Sequence, residues 1–420
     1  MGDRVQPRVL ILGGGFGGVG AARKLAKADA EVVLVDRHDY HTFQPLLYQL
    51  ATGLLETTAV GHSIRDLLHE QDNATVHKAS VTGIDLAARE VRFDGLEPIS
   101  YDYLVLGLGA EVTFFGTEGA AEHAFPMYTM GDALRLKDHL LERWEAADRD
   151  PSLVADGALN VVIVGGGPTG VETAGAIAEL YRADFARDYH GVSEEDARIV
   201  LVEAGPDLFP MFKPNLREYA SKALEKRTVE VKTGAAVESV SPTRVTVENG
   251  EELRAHTLVW GAGLQGNALV RSLGLELQRG NRLGVGPELS LPEHPEVYAL
   301  GDIAAITDAK TGQVLPQLGS VALQSGEHAG ETIARRIAGK KTKPFAYEDK
   351  GTMAMVGRNA AVVQMLGGRT MKGAKAQVAW GAVHLALLPT NEDRAKAVVD
   401  WAGAAFTHQR VGRITTSTND

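Results

Sequence analysis

One unit occurs twice in this chain and constrains its fold more than anything else: an unbroken apolar run, a glycine-rich turn, then a helix-forming stretch. The first copy reads Val9-Leu10-Ile11-Leu12-Gly13-Gly14-Gly15-Phe16-Gly17-Gly18, and the second reads Val161-Val162-Ile163-Val164-Gly165-Gly166-Gly167-Pro168-Thr169-Gly170. Continuous apolar runs of this length suit strands buried on both faces of a parallel sheet. Helices are expected over 19–28 and 171–185. Each is followed by a second apolar strand ending in an acid: Val32-Val33-Leu34-Val35-Asp36, and Ile199-Val200-Leu201-Val202-Glu203. The copies lie about 150 residues apart, the length of one domain each.

Further strands attach to this plan. Tyr101 to Leu106 runs into Gly107-Leu108-Gly109, Leu258-Val259-Trp260 into Gly261-Ala262-Gly263, and Val297 to Leu300 into Gly301-Asp302. Residues 231–247 alternate as a β-meander does, and 321–337 reads as a helix. After about residue 344 a β-like stretch (353–366) precedes two apolar segments, 378–388 and 394–406. Ala395, Val398, Val399, Ala402 and Phe406 share one helical face, and Thr390 or Asn391 stands where a cap belongs. The expected fold is α/β, with two Rossmann-like dinucleotide-binding domains and a C-terminal β/helical docking region. The expected boundaries are 1–115 with 270–340 for the first domain, 116–269 for the second, and 341–420 for the docking region.

The glycine spacing carries the chemistry. Gly13, Gly15 and Gly18 form a GxGxxG that follows a strand and opens a helix, with Asp36 eighteen residues after its last glycine. The first glycine permits the tight turn, the second lets a pyrophosphate approach the backbone, and the third lets helix pack on strand. The helix N-terminus supplies partial positive charge for the phosphates. Asp36 is the expected ribose acceptor. Gly165, Gly167 and Gly170 repeat the device, and Glu203, with no arginine beside it, favours NADH over the 2′-phosphorylated cofactor. Two dinucleotide sites in one chain point to hydride transfer from a nicotinamide to a flavin. Gly301-Asp302 fits the ribityl or pyrophosphate end of a flavin site.

Composition excludes several classes. The net charge of −11 argues against nucleic-acid binding, which needs a basic face. The absence of cysteine removes disulfide, thiolate-metal and dithiol redox chemistry. The 13 histidines show no HExxH-type spacing, so no metal is expected, and His41, His62 and His69 read as surface or core residues. No run approaches the roughly 18 apolar residues of a membrane span. The N-terminal apolar run is too short for a signal peptide. A cytoplasmic protein is expected. From Gly368 onward seven Lys and Arg stand against four Asp and Glu, a local net of +3 against −14 for the rest.

These motifs in this order resemble the two-dinucleotide-domain flavoprotein reductases. Within them they resemble the type II NADH:quinone oxidoreductases, the single-chain, non-pumping respiratory NADH dehydrogenases. Beyond the glycine motifs, the resemblance rests on His41 to Gly53 (His-Thr-Phe-Gln-Pro-Leu-Leu-Tyr-Gln-Leu-Ala-Thr-Gly), Tyr101 to Leu106, and Gly165 to Glu172. Val202 to Pro206, Gly301-Asp302 and Asp349 to Ala354 complete it. The resemblance implies FAD on the first domain, at Gly13, Gly15, Phe16, Gly17, Gly18, Asp36, Arg37, Val81, Gly109 and Asp302. It implies NADH on the second, at Gly165, Gly167, Thr169, Gly170, Glu203 and Gly263. It also implies a catalytic role for Glu172 in quinone binding or proton delivery, and for Gln324 at the quinone.

The sequence departs from the family at two places. The family's Ala-Gln-x-Ala-x-Gln reads Gly319-Ser320-Val321-Ala322-Leu323-Gln324, so Ser320 takes the place of the first glutamine in the implied quinone pocket. The Ala-Thr-Gly after the third strand reads Gly107-Leu108-Gly109. The implied partners are a quinone or another small electron acceptor and, for the C-terminal helices, an anionic membrane surface on the inner face of the cell membrane, the rest of the same chain, or a second copy of it. A soluble NADH-dependent flavoprotein reductase or oxidase with another acceptor is the alternative.

Overall fold

The structure is a computed structural model describing residues 6–407, 410 and 412–415, without the side chains of 405–407. The Phe406 side chain therefore lies outside the described residues. The chain divides into two compact units, each assembled from three segments. The first comprises Met1–Thr42, Gly61–Glu111 and Leu264–Glu348; the second comprises Phe43–Val60, Val112–Gly263 and Asp349–Asp420.

The first unit is built on a five-stranded parallel sheet. Its order is Val297–Ala299, Tyr103–Leu106, Arg8–Leu12, Glu31–Asp36, Ala74–Lys78. The strands are apolar on both faces because both faces are covered, and Val9 to Leu12 are fully buried. Each such Val, Leu or Ile contributes about 1.5–3 kcal/mol when taken from water. The helix Phe16–Lys24 starts inside the glycine turn, three residues earlier than the apolar pattern indicates, because Gly15 is its N-cap. It lies against the helix Gly319–Ile337, which the sequence places over 321–337. The seam is made of small residues. A Cβ on Gly326 would stand 2.0 Å from the Gly17 carbonyl oxygen, and one on Gly330 would stand 2.4 Å from that of Ala21. Backbone therefore meets backbone, and no larger side chain fits.

The second unit repeats the plan. Its parallel sheet runs Phe125–Pro126, Thr257–Trp260, Val161–Val164, Ile199–Glu203, Val229–Thr233. The helix Pro168–Leu180 continues into a π-helical turn, Tyr181–Phe185, so the expected helix over 171–185 is one element with a widened last turn. Of the stretch expected as a meander, 231–233 belongs to the parallel strand Val229–Thr233, and three antiparallel strands follow: Val237–Ser241, Arg244–Val247 and Glu251–Arg254. The C-terminal portion supplies a second antiparallel sheet, Thr352–Gly357, Ala360–Gln364 and Thr370–Lys372. Two helices follow it, Ala374–Leu387 and Asn391–Thr407. Of the two capping residues, Thr390 does the work. Its Oγ1 accepts the Asp393 N–H at 3.2 Å, and its own N–H donates to the Asp393 carboxylate at 3.2 Å. No helix among the described residues is long and apolar enough to cross a membrane.

Candidate functional site

In a parallel sheet the strands finish along one edge, so residues that follow neighbouring strands come together there. In the first unit that edge carries Asp302, Gly109, the Gly13–Gly18 turn and Asp36, each just after or at the end of adjacent strands. In the second it carries Gly263, the Gly165–Gly170 turn and Glu203 in the same relative order. Residues distant in sequence are thereby collected into two cradles.

The two glycine turns share their geometry. Gly13 and Gly165 adopt φ +106° and +112°, where a side chain is strained. A Cβ on Gly18 would stand 1.8 Å from the Gly13 oxygen, and one on Gly170 would stand 1.8 Å from that of Gly165, so helix packs directly on turn. At Gly15 and Gly167, the N-caps of the two helices, a Cβ would meet nothing within 4 Å. These middle glycines leave open space over the helix N-terminal amides, where a pyrophosphate approaches backbone. Both cradles fit a dinucleotide.

The acids have a second task that the sequence did not show. Asp36 accepts the Gly14 N–H at 2.6 Å and the His38 N–H at 2.7 Å. Glu203 accepts the Gly166 N–H and, at 2.6 Å, the Gly205 N–H. Each carboxylate ties its strand end to the glycine turn and retains further lone pairs as acceptors.

The remaining implied FAD residues fall around the first cradle in different ways. The Phe16 ring packs edge-on to His41, centroids 4.9 Å apart. Gly17 is pressed against Leu300. Arg37 is exposed beyond Asp36, and Val81 is half-buried on the strand Ser80–Asp85. Gly109 takes φ +69°, so the Gly107-Leu108-Gly109 departure keeps a left-handed glycine at its end. The Gly301 N–H donates to the Ser325 Oγ at 3.1 Å, and half-buried Asp302 has its carbonyl held by Gln317 at 3.0 Å. His41 is buried, bonds the Gly14 oxygen through Nδ1 at 2.9 Å, and has its pKa lowered by burial to about 4. His62 is buried too, while His69 is exposed. Among the described residues no group of three or more His, Cys, Asp and Glu could hold a metal ion.

In the second unit Thr169 lies in the first turn after Gly167, and its carbonyl accepts the Thr173 hydroxyl at 2.6 Å. Gly263, at φ +71°, is packed against the Phe115 ring.

Ser320 and Gln324 are committed to neighbours within the first unit. The Ser320 hydroxyl bonds the Tyr347 hydroxyl at 2.9 Å. The Gln324 amide makes a reciprocal pair with the Glu348 backbone, donating to its carbonyl and accepting from its N–H, both at 3.0 Å. Both side chains thus hold the 347–348 segment.

Glu172 occupies a different setting. It lines a cavity of about 670 Å³ within the second unit, together with Tyr48, Gln49, Met355, Trp380, Trp401 and Arg410 among others. Its Oε1 accepts the Met355 N–H at 2.9 Å. Burial pushes its pKa up to about 8, and the Met355 N–H only partly opposes this. The charge in the wall is balanced elsewhere: the buried Arg410 guanidinium lies 3.3 Å from the buried Asp184 carboxylate and donates to the carbonyls of Thr52 and Ala176. Tyr48, Gln49, Trp401 and Arg410 were not singled out in the sequence. Their only signal was membership of the His41–Gly53 stretch for the first two.

These cradles and this topology are those of a two-dinucleotide flavoprotein fold, and comparison with known proteins agrees. A family model for pyridine nucleotide-disulphide oxidoreductases matches residues 7–326. Among solved structures, NDH2 from Plasmodium falciparum in complex with NADH is similar with TM-score 0.89 at 19% identity, covering 98% of this chain and 100% of that one. The sulfide:quinone oxidoreductase of Aquifex aeolicus is similar with TM-score 0.71 at 18% identity, covering 95% of each chain. At these identities the likeness is one of fold.

Sequence relatives are more specific. The chain is 35% identical over 424 residues to the type II NADH:quinone oxidoreductase Ndh of Mycobacterium tuberculosis, covering 97% of this chain and 90% of that one. It is 30% identical over 379 residues to the type II NADH:quinone oxidoreductase of Staphylococcus saprophyticus, covering 88% and 92%. The chain belongs to the type II NADH:quinone oxidoreductase family.

Proposed function

We infer that this protein is an FAD-dependent NADH:quinone oxidoreductase that does not pump protons. The observation carrying the inference is the pair of matched cradles, each with an open middle glycine and an acid at the neighbouring strand end. The first unit takes FAD and the second takes NADH. Bound FAD supplies the two-electron carrier between NADH and the quinone. The chain's own residues bind and orient. Gly15 and Gly167 admit the diphosphates, and Asp36 and Glu203 receive the ribose hydroxyls.

The Glu172 cavity is the acceptor site in this reading. Because Glu172 Oε1 is engaged by Met355, its proton sits on Oε2, available to a quinone oxygen at neutral pH. The exposed apolar side chains Leu366, Val378, Leu387 and Val399 support docking of the C-terminal region on an anionic membrane surface at the inner face of the cell membrane.

Anaerobic reduction of the purified holoprotein with NADH, followed by reoxidation with short-chain quinones and separately with oxygen, tests the function. Reoxidation by quinone much faster than by oxygen is expected. The reverse order gives the protein to a soluble oxidase instead.

A further inference from the structure

The acceptor cavity contains a hydrogen-bond chain that the function above leaves unused. The Trp401 Nε1–H donates to Gln49 Oε1 at 2.7 Å, and Gln49 Nε2 donates to the Tyr48 hydroxyl oxygen at 2.8 Å. Its polarity cannot be reversed. An indole N–H only donates, so Gln49 must turn its carbonyl to Trp401 and its amino group to Tyr48. The Tyr48 oxygen is then an acceptor, and the hydroxyl hydrogen must go elsewhere.

Tyr48 and Gln49 are only 6% and 3% exposed, and both line the cavity with Trp401. Among the described residues the only hydrogen bond of the Tyr48 hydroxyl is the one it accepts from Gln49. A buried O–H without an acceptor is costly, and a ligand oxygen in the cavity removes that cost. The phenol is held in place, since the Trp380 ring meets it edge-on with centroids 6.5 Å apart.

We propose that Tyr48 donates a hydrogen bond to a carbonyl oxygen of the quinone in this cavity, with Gln49 and Trp401 as positioning residues that fix the direction of that donor. The proposal rests on the quinone reading given above. It divides the work of the wall between two donors. Burial and the nearby Glu172 carboxylate both strengthen the hold of Tyr48 on its proton, so Tyr48 orients the ring and does not acidify it. Glu172 is the group poised to give a proton up. The wall therefore selects acceptors bearing a carbonyl oxygen.

The test uses the holoprotein with menadione or a short-chain ubiquinone as the probe, comparing Tyr48→Phe, Trp401→Phe and the double variant. Losing one neutral hydrogen bond raises KM for the quinone about two- to tenfold in Tyr48→Phe. Trp401→Phe keeps the ring packing and gives a smaller rise. The double variant is no worse than Tyr48→Phe alone, because Trp401 acts only through Tyr48. The anaerobic rate of reduction by NADH stays at its wild-type value, which a general structural role would not allow. An unchanged KM in Tyr48→Phe, with a wild type that reduces quinone, overturns the proposal alone. Additive effects of the two substitutions overturn the positioning role. A wild type that does not reduce quinone at all overturns the quinone reading and this proposal with it.

Discussion

The carboxyl of Glu172 shows how much one residue's surroundings decide. In the unfolded chain it titrates as an ordinary glutamate, whereas in the folded protein burial raises it to about 8. The native state thus holds the proton more tightly than the unfolded state. As pH rises from the ordinary carboxyl range through about 8, stability is lost, and above that window it is level. Glu172→Gln, which cannot ionise, should remove this decline. The difference in unfolding free energy between the two proteins should shift by on the order of 2 kcal/mol across the window, at about 1.4 kcal/mol per unit discounted for solvent in the cavity. Denaturant melts at several pH values measure it, and parallel curves would mean that the carboxyl is ionised in the native state at neutral pH.

Glu203 makes a related point. Its carboxylate holds the Gly166 and Gly205 amides, and in the function proposed above it also receives the ribose hydroxyls. Glu203→Gln should therefore narrow the preference for NADH over NADPH and also weaken NADH binding about ten- to a hundredfold, since a hydrogen bond to a charged acceptor contributes about 1.5–3 kcal/mol. Steady-state constants for both cofactors separate the two effects. An NADH KM left untouched would show that the turn does not depend on the carboxylate.

At the scale of elements, what could be read from sequence depended on whether the signal was local. The buried strands were legible because covering both faces of a parallel sheet leaves an unbroken apolar run, as in Val9–Leu12 and Val161–Val164. The glycine turns were legible because their conformational demands fall within six residues. The partners of Ser320 and Gln324 were not, since Tyr347 and Glu348 lie over 20 residues away with no period linking them. Nor was the bond from Trp401 to Gln49, separated by 352 residues. The glycine seam between Phe16–Lys24 and Gly319–Ile337 falls between these cases, because the glycines are visible but their mutual contact is not. Gly326→Leu should force those helices apart, costing about 1–3 kcal/mol or more and weakening flavin retention, since Gly17 belongs to the cradle. A thermal melt together with the flavin-to-protein absorbance ratio after gel filtration tests this. A fully yellow variant of unchanged melting temperature would show that the seam is compliant.

For the molecule as a whole, the charge asymmetry and the exposed apolar residues bear on the same question. The C-terminal region carries the local positive balance, and Val378 and Val399 stand 73% and 68% exposed on its two helices. Trp380 on the first helix and Trp401 on the second also line the Glu172 cavity, so deleting the region would disturb that cavity as well. Substitution is the sharper probe. Val378→Glu with Val399→Glu should abolish most sedimentation with anionic vesicles at low salt, leaving the melting temperature and solution turnover with a soluble quinone near wild type. Loss of self-association instead, with vesicle binding intact, would assign the face to a second copy of the chain.

The close approach of Gly175 to the strand Thr352–Gly357 extends these arguments to spectroscopy. A Cβ at Gly175 would stand 1.9 Å from the Val356 oxygen, so helix and strand touch through backbone alone, one turn from Glu172 and one residue from its Met355 partner. With no side chain in the gap, no neighbour's rotamer hopping can vary the spacing of the two backbones, and the Met355 N–H holds the carboxyl itself. Protonated Glu172 should therefore give one narrow carbonyl stretching band in the infrared difference spectrum between Glu172→Gln and wild type. Two bands, or one broad band, would reveal a heterogeneity of environment that this backbone contact is expected to forbid.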